Sequence, residues 1–175
     1  ADAAFVALGR ACELGVGRAC NSLSIARAER GGDVASALRR GCDLGDALGC
    51  RKLLIGQMEK SESPDLDLRI LTSSRLAQAC DAEPGDGESC LALAGAVERG
   101  WTSSEEAGAP HQRLARACQL GAGPACAKLV HLHVTGKRPA TKAELERAAP
   151  AMEDWGDRDA FSCAMLAIAK KRGLG

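Results

Sequence analysis

A cysteine-spaced motif recurs along the chain and limits its fold more than any other feature. Residues 11–20 read Ala-Cys-Glu-Leu-Gly-Val-Gly-Arg-Ala-Cys. Residues 41–50 read Gly-Cys-Asp-Leu-Gly-Asp-Ala-Leu-Gly-Cys, and residues 117–126 read Ala-Cys-Gln-Leu-Gly-Ala-Gly-Pro-Ala-Cys. All three are C-x-L-G-x4-C. A fourth copy, Cys80 to Cys90, has two extra residues around Glu83-Pro84-Gly85. Three residues after each second cysteine stands Leu23, Leu53, Leu93 or Leu129. A fifth, degenerate copy ends Phe161-Ser162-Cys163-Ala164-Met165-Leu166; its first cysteine is absent and Met152 lies nearest that place. From Cys20 through Cys50, Cys90 and Cys126 to Cys163 the steps are 30, 40, 36 and 37 residues. That is the period of stacked helix pairs. The short first step fits a tight Gly31-Gly32 connection, and the long second step fits a loop at Ser61-Glu62-Ser63-Pro64.

Local patterning agrees with helices. Each second cysteine opens an apolar stretch of about ten residues that ends in Gly or a polar break. Val34 to Leu44 carries apolar residues at helical spacing, as do residues 111–120. The Leu-Gly pair after Cys12, Cys42 and Cys118 reads as a helix stop with Gly at C′. Asp33 and Ser104 are predicted N-caps, the latter followed by Glu105-Glu106. Pro110 and Pro150 are predicted at element starts. No β-alternation is present. The expected fold is all-α: antiparallel helix pairs stacked into an αα superhelix. It forms a single solenoid domain over residues 1–175, with four cysteine-bearing pairs and a degenerate repeat at 140–175.

In this arrangement the first cysteine lies in the last turn of one helix and the second in the first turn of the next. Antiparallel packing at about 8–10 Å between axes brings such turns within disulfide reach. The economical pairings are Cys12–Cys20, Cys42–Cys50, Cys80–Cys90 and Cys118–Cys126, since the same local spacing recurs. Two alternatives stand beside them. One is zinc, although seven intervening residues exceed its usual two to four. The other is eight reduced cysteines acting as small buried hydrophobes. Disulfides imply an oxidising compartment: periplasm, cell surface or medium. Cys163 is left over, expected as a buried free thiol in the second-cysteine slot of the last repeat. Its sharper reading is an intermolecular disulfide giving a dimer, or a reactive thiol.

Composition explains why clamps would be needed. The chain has 175 residues, 46% hydrophobic and 26% charged, an ordinary globular balance. Its aromatic residues are only Phe5, Trp101, Trp155 and Phe161, so Ala and Leu must build the core. Lys plus Arg is 23 and Asp plus Glu is 23, which removes the electrostatic footprint for nucleic acid. Charge is uneven: residues 61–110 carry net −7, and residues 111–175 net +5. The longest uncharged apolar run, Cys90 to Val97, is far below the ~20 residues of a membrane span. No basic start precedes an apolar run, so no signal peptide is read within the chain.

The repeated Ala-Cys-x-Leu-Gly-x-Gly-x-Ala-Cys-x-x-Leu resembles the Sel-one-like repeats of the Helicobacter cysteine-rich protein family, relatives of tetratricopeptide repeats. The resemblance runs from about residue 4 to 172. It implies a right-handed αα superhelix with one disulfide per repeat, in a secreted or periplasmic bacterial protein that engages proteins or peptides. The sequence departs from the usual pattern after the second cysteine. There the family carries Tyr and a Leu-Gly pair, while this chain has Leu23-Ser24, Leu53-Leu54, Leu93-Ala94, Leu129-Val130 and Leu166-Ala167.

Some family members are associated with penicillin binding or β-lactam hydrolysis, so an enzyme of that type is the alternative function. The sequence holds no Ser-x-x-Lys, the spacing that lets an amine reach the serine hydroxyl. A thiol-rich metal-binding adaptor is the third reading. His131 and His133 are two apart on a predicted helix and point to different sides, and H-E-x-x-H is absent. A Cys163–His131 nucleophile pair lacks a group to orient the histidine. Gly15-x-Gly17 and Gly121-x-Gly123 read as turns, because they follow helices rather than strands. Asp65, Asp67 and the acidic residues from Asp81 to Glu88 do not fit a calcium loop and read as solvated. No cofactor is expected.

Partner binding is expected on the helices that start at the second cysteines. The residue after each such cysteine, and the one four further on, are assigned to the concave face: Asn21 and Ile25, Arg51 and Ile55, Leu91 and Gly95, Ala127 and His131, Ala164 and Ile168. Asn21, Arg51 and His131 are the polar anchors of a groove suited to an extended or helical peptide.

Overall fold

The Leu-Gly pairs that follow Cys12, Cys42 and Cys118 each end a helix. The computed structural model describes residues 2–60 and 65–174, and every regular element among them is helical. In chain order these are α1 (Asp2–Glu13), α2 (Gly17–Ala28), α3 (Val34–Asp43), α4 (Ala47–Lys60), α5 (Leu66–Asp81) and α6 (Gly87–Glu98). The one-turn α7 (Ser104–Ala107) follows, then α8 (Pro110–Gln119), α9 (Gly123–Val134), α10 (Lys142–Trp155) and α11 (Ala160–Lys171). The loop expected at Ser61–Pro64 lies outside the described residues.

The stop at each clamp is a double hydrogen bond. Gly15 N–H donates to the Cys12 carbonyl at 3.1 Å, and Val16 N–H to the Ala11 carbonyl at 3.0 Å. Gly45 and Asp46 repeat this on Cys42 and Gly41, both at 2.9 Å, and Gly121 and Ala122 on Cys118 and Ala117, both at 3.0 Å. This is the Schellman motif, and it needs a left-handed residue at C′. Gly15, Gly45 and Gly121 supply it, with φ of 93°, 86° and 83°. In the longer copy, Asp86 N–H reaches the Ala79 carbonyl across the insertion at 2.9 Å.

Helix starts follow side-chain chemistry. The Asp33 carboxylate accepts from Ser36 N–H at 3.1 Å, and Asp159 from Ser162 N–H at 2.8 Å. Thr141 and Glu144 form a reciprocal capping box. Two predicted starts need correction. The cap of α7 is Ser103, not Ser104, because Ser103 is extended and its hydroxyl reaches Glu106 N–H at 3.2 Å. Pro150 does not start an element but lies inside α10. An interior proline costs a helix about 3 kcal/mol. Here Leu145, Ala148, Ala151 and Met152 are buried on both sides of it, and that packing carries the helix through.

The chain forms two compact units, Ala1–Gln78 and Ala79–Gly175. In the first, α1 packs on α2, α2 on α3 and α3 on α4. Its core includes Cys12, Cys20, Leu23 and Ala37, with Phe5, Leu8 and Leu44 at the edge. In the second, α6 packs on α8, α8 on α9, and α9, α10 and α11 on one another. Leu93, Leu114, Leu129, Val130 and Met152 are its largest fully buried side chains, and the last four are set among alanines and disulfide cysteines. Cores of Ala, Leu and cystine thus stand in for aromatic packing.

The capping box makes α10 sensitive to acid. Burial pushes the Glu144 carboxyl up, but bonds from Thr141 N–H, the Arg138 guanidinium and the Thr141 hydroxyl outweigh it. They hold the group below its ordinary value of 4.5. A lowered folded value means stability that is present above 4.5 and lost as pH falls through the folded value. Glu144→Gln is expected to lower the melting temperature by a few degrees at neutral pH. That deficit should shrink to nothing as pH falls below the carboxylate range, read by circular-dichroism melts across pH. A deficit independent of pH would disprove the role of the charge.

Candidate interaction surface

Four disulfides join Cys12–Cys20, Cys42–Cys50, Cys80–Cys90 and Cys118–Cys126, with Cα separations of 4.7, 4.6, 4.8 and 4.7 Å. Each ties the last turn of one helix to the first turn of the next, across the Schellman turn in three of them and across the Asp81–Asp86 insertion in Cys80–Cys90. All eight cysteines are buried. Thiol exchange requires access to sulfur, so these are structural bridges rather than exchange sites. Beside one of them, Arg113 places Nη1 3.3 Å from Cys80 Sγ. The same guanidinium pairs with Asp81 and donates to the Ala107 carbonyl.

Cys163 departs from its expected burial: it is exposed. The physical reason is its place on α11, which packs chiefly against α9 and α10 and turns Cys163 away from them. The buried face of α11 is Ser162, Met165 and Ala169, one residue out of step with the cysteine.

A helix-on-helix joint recurs with the clamps. The residue three before the second cysteine is Gly17, Gly87 or Gly123 in three of the four clamps, and Ala47 in the clamp of Cys50. A Cβ at Gly17 would stand 3.4 Å from the Gly41 carbonyl, 3.4 Å from Leu44 Cβ and 3.1 Å from Asp46 Cβ. At Gly87 it would stand 3.0 Å from the Ala117 carbonyl, 3.1 Å from Leu120 Cβ and 3.2 Å from Ala122 Cβ. These are the same three positions of the following Schellman turn: one before, two after and four after the first cysteine. At Gly123 the occupant is Trp155, whose Nε1–H donates to the Gly121 carbonyl at 3.1 Å. The missing side chain is a socket, and the next helix end is the knob. From sequence these glycines read only as turn residues; their recurrence at one offset from the cysteine was the available signal.

The predicted partner-facing positions divide. Ile25 on α2 and Ile55 on α4 are 51% and 41% exposed, and the two helices pack side by side. Asn21, predicted to face a partner, is buried, and its Oδ1 has no hydrogen-bond partner. The cause is Gly41, which lets α3 close on this turn: a Cβ there would lie 3.3 Å from Cys20 Cβ and 3.8 Å from Asn21 N. Arg51 is half-buried and engaged with neighbours. In the second unit Ala127 is buried, Leu91, Gly95 and Ile168 are half-buried, and Ala164 is exposed. His131 is half-buried, its ring edge-on to Phe161 with centroids 6.0 Å apart. Sequence reasoning passed over α5, where Leu66 and Ile70 are 60% and 59% exposed. An open groove of about 460 Å³ runs there past Ile70, Leu71 and Arg75.

The acidic segment has structural partners. Asp65 caps α5 through Leu68 N–H at 2.7 Å, Glu83 pairs with Arg116 at 3.1 Å, and Asp86 accepts from Glu88 N–H at 3.2 Å. His133 Nδ1 accepts from Ala140 N–H at 3.0 Å. Among the described residues no group of three or more His, Cys, Asp or Glu side chains is arranged to hold a metal ion. No described helix is long and apolar enough to cross a membrane. The chain matches no protein-family model, no curated protein and no solved structure.

Proposed function

We propose that this chain is a disulfide-clamped repeat scaffold that binds proteins or peptides in an oxidising compartment, either periplasmic or extracellular. The recurrent clamp, Schellman turn and glycine joint support reading it as a Sel-one-like αα solenoid. The observation that carries the binding role is the pair Ile25 and Ile55. They are exposed β-branched side chains at equivalent positions on neighbouring helices. Ordinary helix surfaces do not need them there, and a peptide laid across α2 and α4 would cover both. Arg51, at the foot of α4, is the polar anchor beside them, and His131 stands on α9 at the position that Ile25 and Ile55 hold on α2 and α4.

Selection from a displayed peptide library, with the Cys163→Ser protein as bait, tests this reading. Enriched peptides should lose about tenfold or more in affinity with Ile25→Glu or Ile55→Glu, since covering one isoleucine contributes about 1.5–3 kcal/mol. If selection enriches no peptide over an Ile25→Glu/Ile55→Glu bait, this surface is not a binding site.

A further inference from the structure

A cavity of about 360 Å³ opens between α1, α2 and α3, wholly within the first unit. In the second unit the helices at the corresponding repeat positions to α1 and α3, namely α8 and α10, pack on each other instead. The cavity is lined on its apolar side by Cys12, Leu23 and Ala37, all buried. Gly9 leaves the α1 wall bare, since a Cβ there would meet nothing within 4 Å. The charged residues that line the cavity carry both signs. Arg27 Nη1 donates to the Ser36 hydroxyl at 2.8 Å and to the Asp33 carbonyl at 3.1 Å, which fixes one nitrogen of a group with five donors. Arg40 and Glu13 line the same cavity, and neither has a hydrogen-bond or ion-pair partner among the described residues. Two guanidinium groups and one carboxylate thus border a space at the lower end of the roughly 300–1,000 Å³ of small-molecule sites, and Glu13 and Arg40 do not neutralise each other.

We infer that this cavity binds a free amino acid with an apolar side chain. Its carboxylate lies on Arg40 and Arg27, its ammonium on Glu13, and its side chain against Leu23, Ala37 and Cys12. Unpaired charges of opposite sign around one cavity call for a ligand that carries both, because each then gains a charge-assisted hydrogen bond. A ligand with one charge answers Arg40 or Glu13 and leaves the other without a partner. The site is separate from the proposed peptide surface. Leu23 and Arg27 are four residues apart and share a face of α2, whereas Ile25 lies about 200° round the helix from Leu23. The inference therefore does not rest on peptide binding, and Ile25→Glu should leave amino-acid binding unchanged.

The test is a titration of the isotope-labelled, oxidised full chain with L-leucine, followed by backbone amide shifts in NMR. Isocaproate, which is leucine without the ammonium, and isoamylamine, which is leucine without the carboxylate, are the partial ligands. Leucine should shift the amides of Gly9, Glu13, Arg27, Ala37 and Arg40 saturably. Each partial ligand should bind about tenfold or more weakly, the loss of one charge-assisted bond. Glu13→Gln should weaken leucine to the level of isocaproate and leave isocaproate itself unchanged. Arg40→Gln should weaken leucine and isocaproate alike and leave isoamylamine unchanged. Gly9→Leu fills the cavity from α1 and should abolish leucine binding. Glu13 and Arg40 are exposed and Gly9 has room for a side chain, so all three variants should keep the parent's circular-dichroism spectrum. No saturable shift at these amides, isocaproate that binds as well as leucine, or leucine binding that survives Gly9→Leu would each overturn the inference.

Discussion

Reduction of the four disulfides is expected to unfold this protein at physiological temperature. Each bridge closes a loop of about ten residues, which in the chain-entropy model contributes roughly 2–3 kcal/mol. Four together are on the order of 10 kcal/mol, which matches the whole stability of a typical domain at about 5–15 kcal/mol. The core offers little to offset that loss, because it is built of Ala, Leu and cystine with only four aromatic residues in the chain. The bridges are buried, so the reductant must act through opening of the fold, and loss of helicity should lag under mild conditions. Alkylation followed by intact mass should find one modified cysteine before reduction and all nine after. Replacing a single pair by serine, such as Cys118→Ser/Cys126→Ser, should lower stability by roughly 2–5 kcal/mol in denaturant melts. A reduced protein that keeps its helicity and melting temperature would mean that packing alone holds the helix pairs together.

Gly123→Ala is expected to be one of the most damaging single-methyl additions in the chain. A Cβ there would lie 2.5 Å from both Cβ and Cγ of Trp155 and 2.7 Å from Cδ1. Those atoms are the root of the indole, whose far end is held by the Gly121 carbonyl, so the ring cannot swing aside. Instead α10 must move off α9. Overpacking of this kind costs about 1–3 kcal/mol, a drop of several degrees in melting temperature at this chain length. Gly9→Ala is the control. Gly9 lies within α1 with nothing within 4 Å of its would-be Cβ, so the same methyl should stabilise by about 0.5–1 kcal/mol. Trp155→Ala added to Gly123→Ala should cost less than the two changes separately, because the clash is shared. Additive losses would show that Gly123 and Trp155 are not one joint.

The two predictions separate what is local from what is not. The helix ends at the clamps were legible in the sequence, because a Schellman turn is decided within six residues: Leu-Gly, its left-handed φ and its two hydrogen bonds. Asp33 as a cap and Pro110 at the first turn of α8 are local in the same sense. The all-helical class follows from the same short-range signals. Where several readings compete within one turn, as at Ser103 and Ser104, a one-residue slip is all that distinguishes them, and the backbone angle decides.

The remaining features belong to the tertiary structure. Pro150 is tolerated inside α10 because of what packs around it, which no window of sequence contains. Asn21 is buried because Gly41, twenty residues away, admits the backbone of α3. Cys163 is exposed because α11 packs on α9 and α10 through Ser162, Met165 and Ala169, one residue out of step with it. Gly17, Gly87 and Gly123 look alike as turn glycines, yet their role is set by the helix end seated on each of them. Spacing along the chain determined where helices stop, since those hydrogen bonds span one turn. Which faces are covered was decided by the neighbours that the folded chain brings to them, since burial depends on residues far away in sequence.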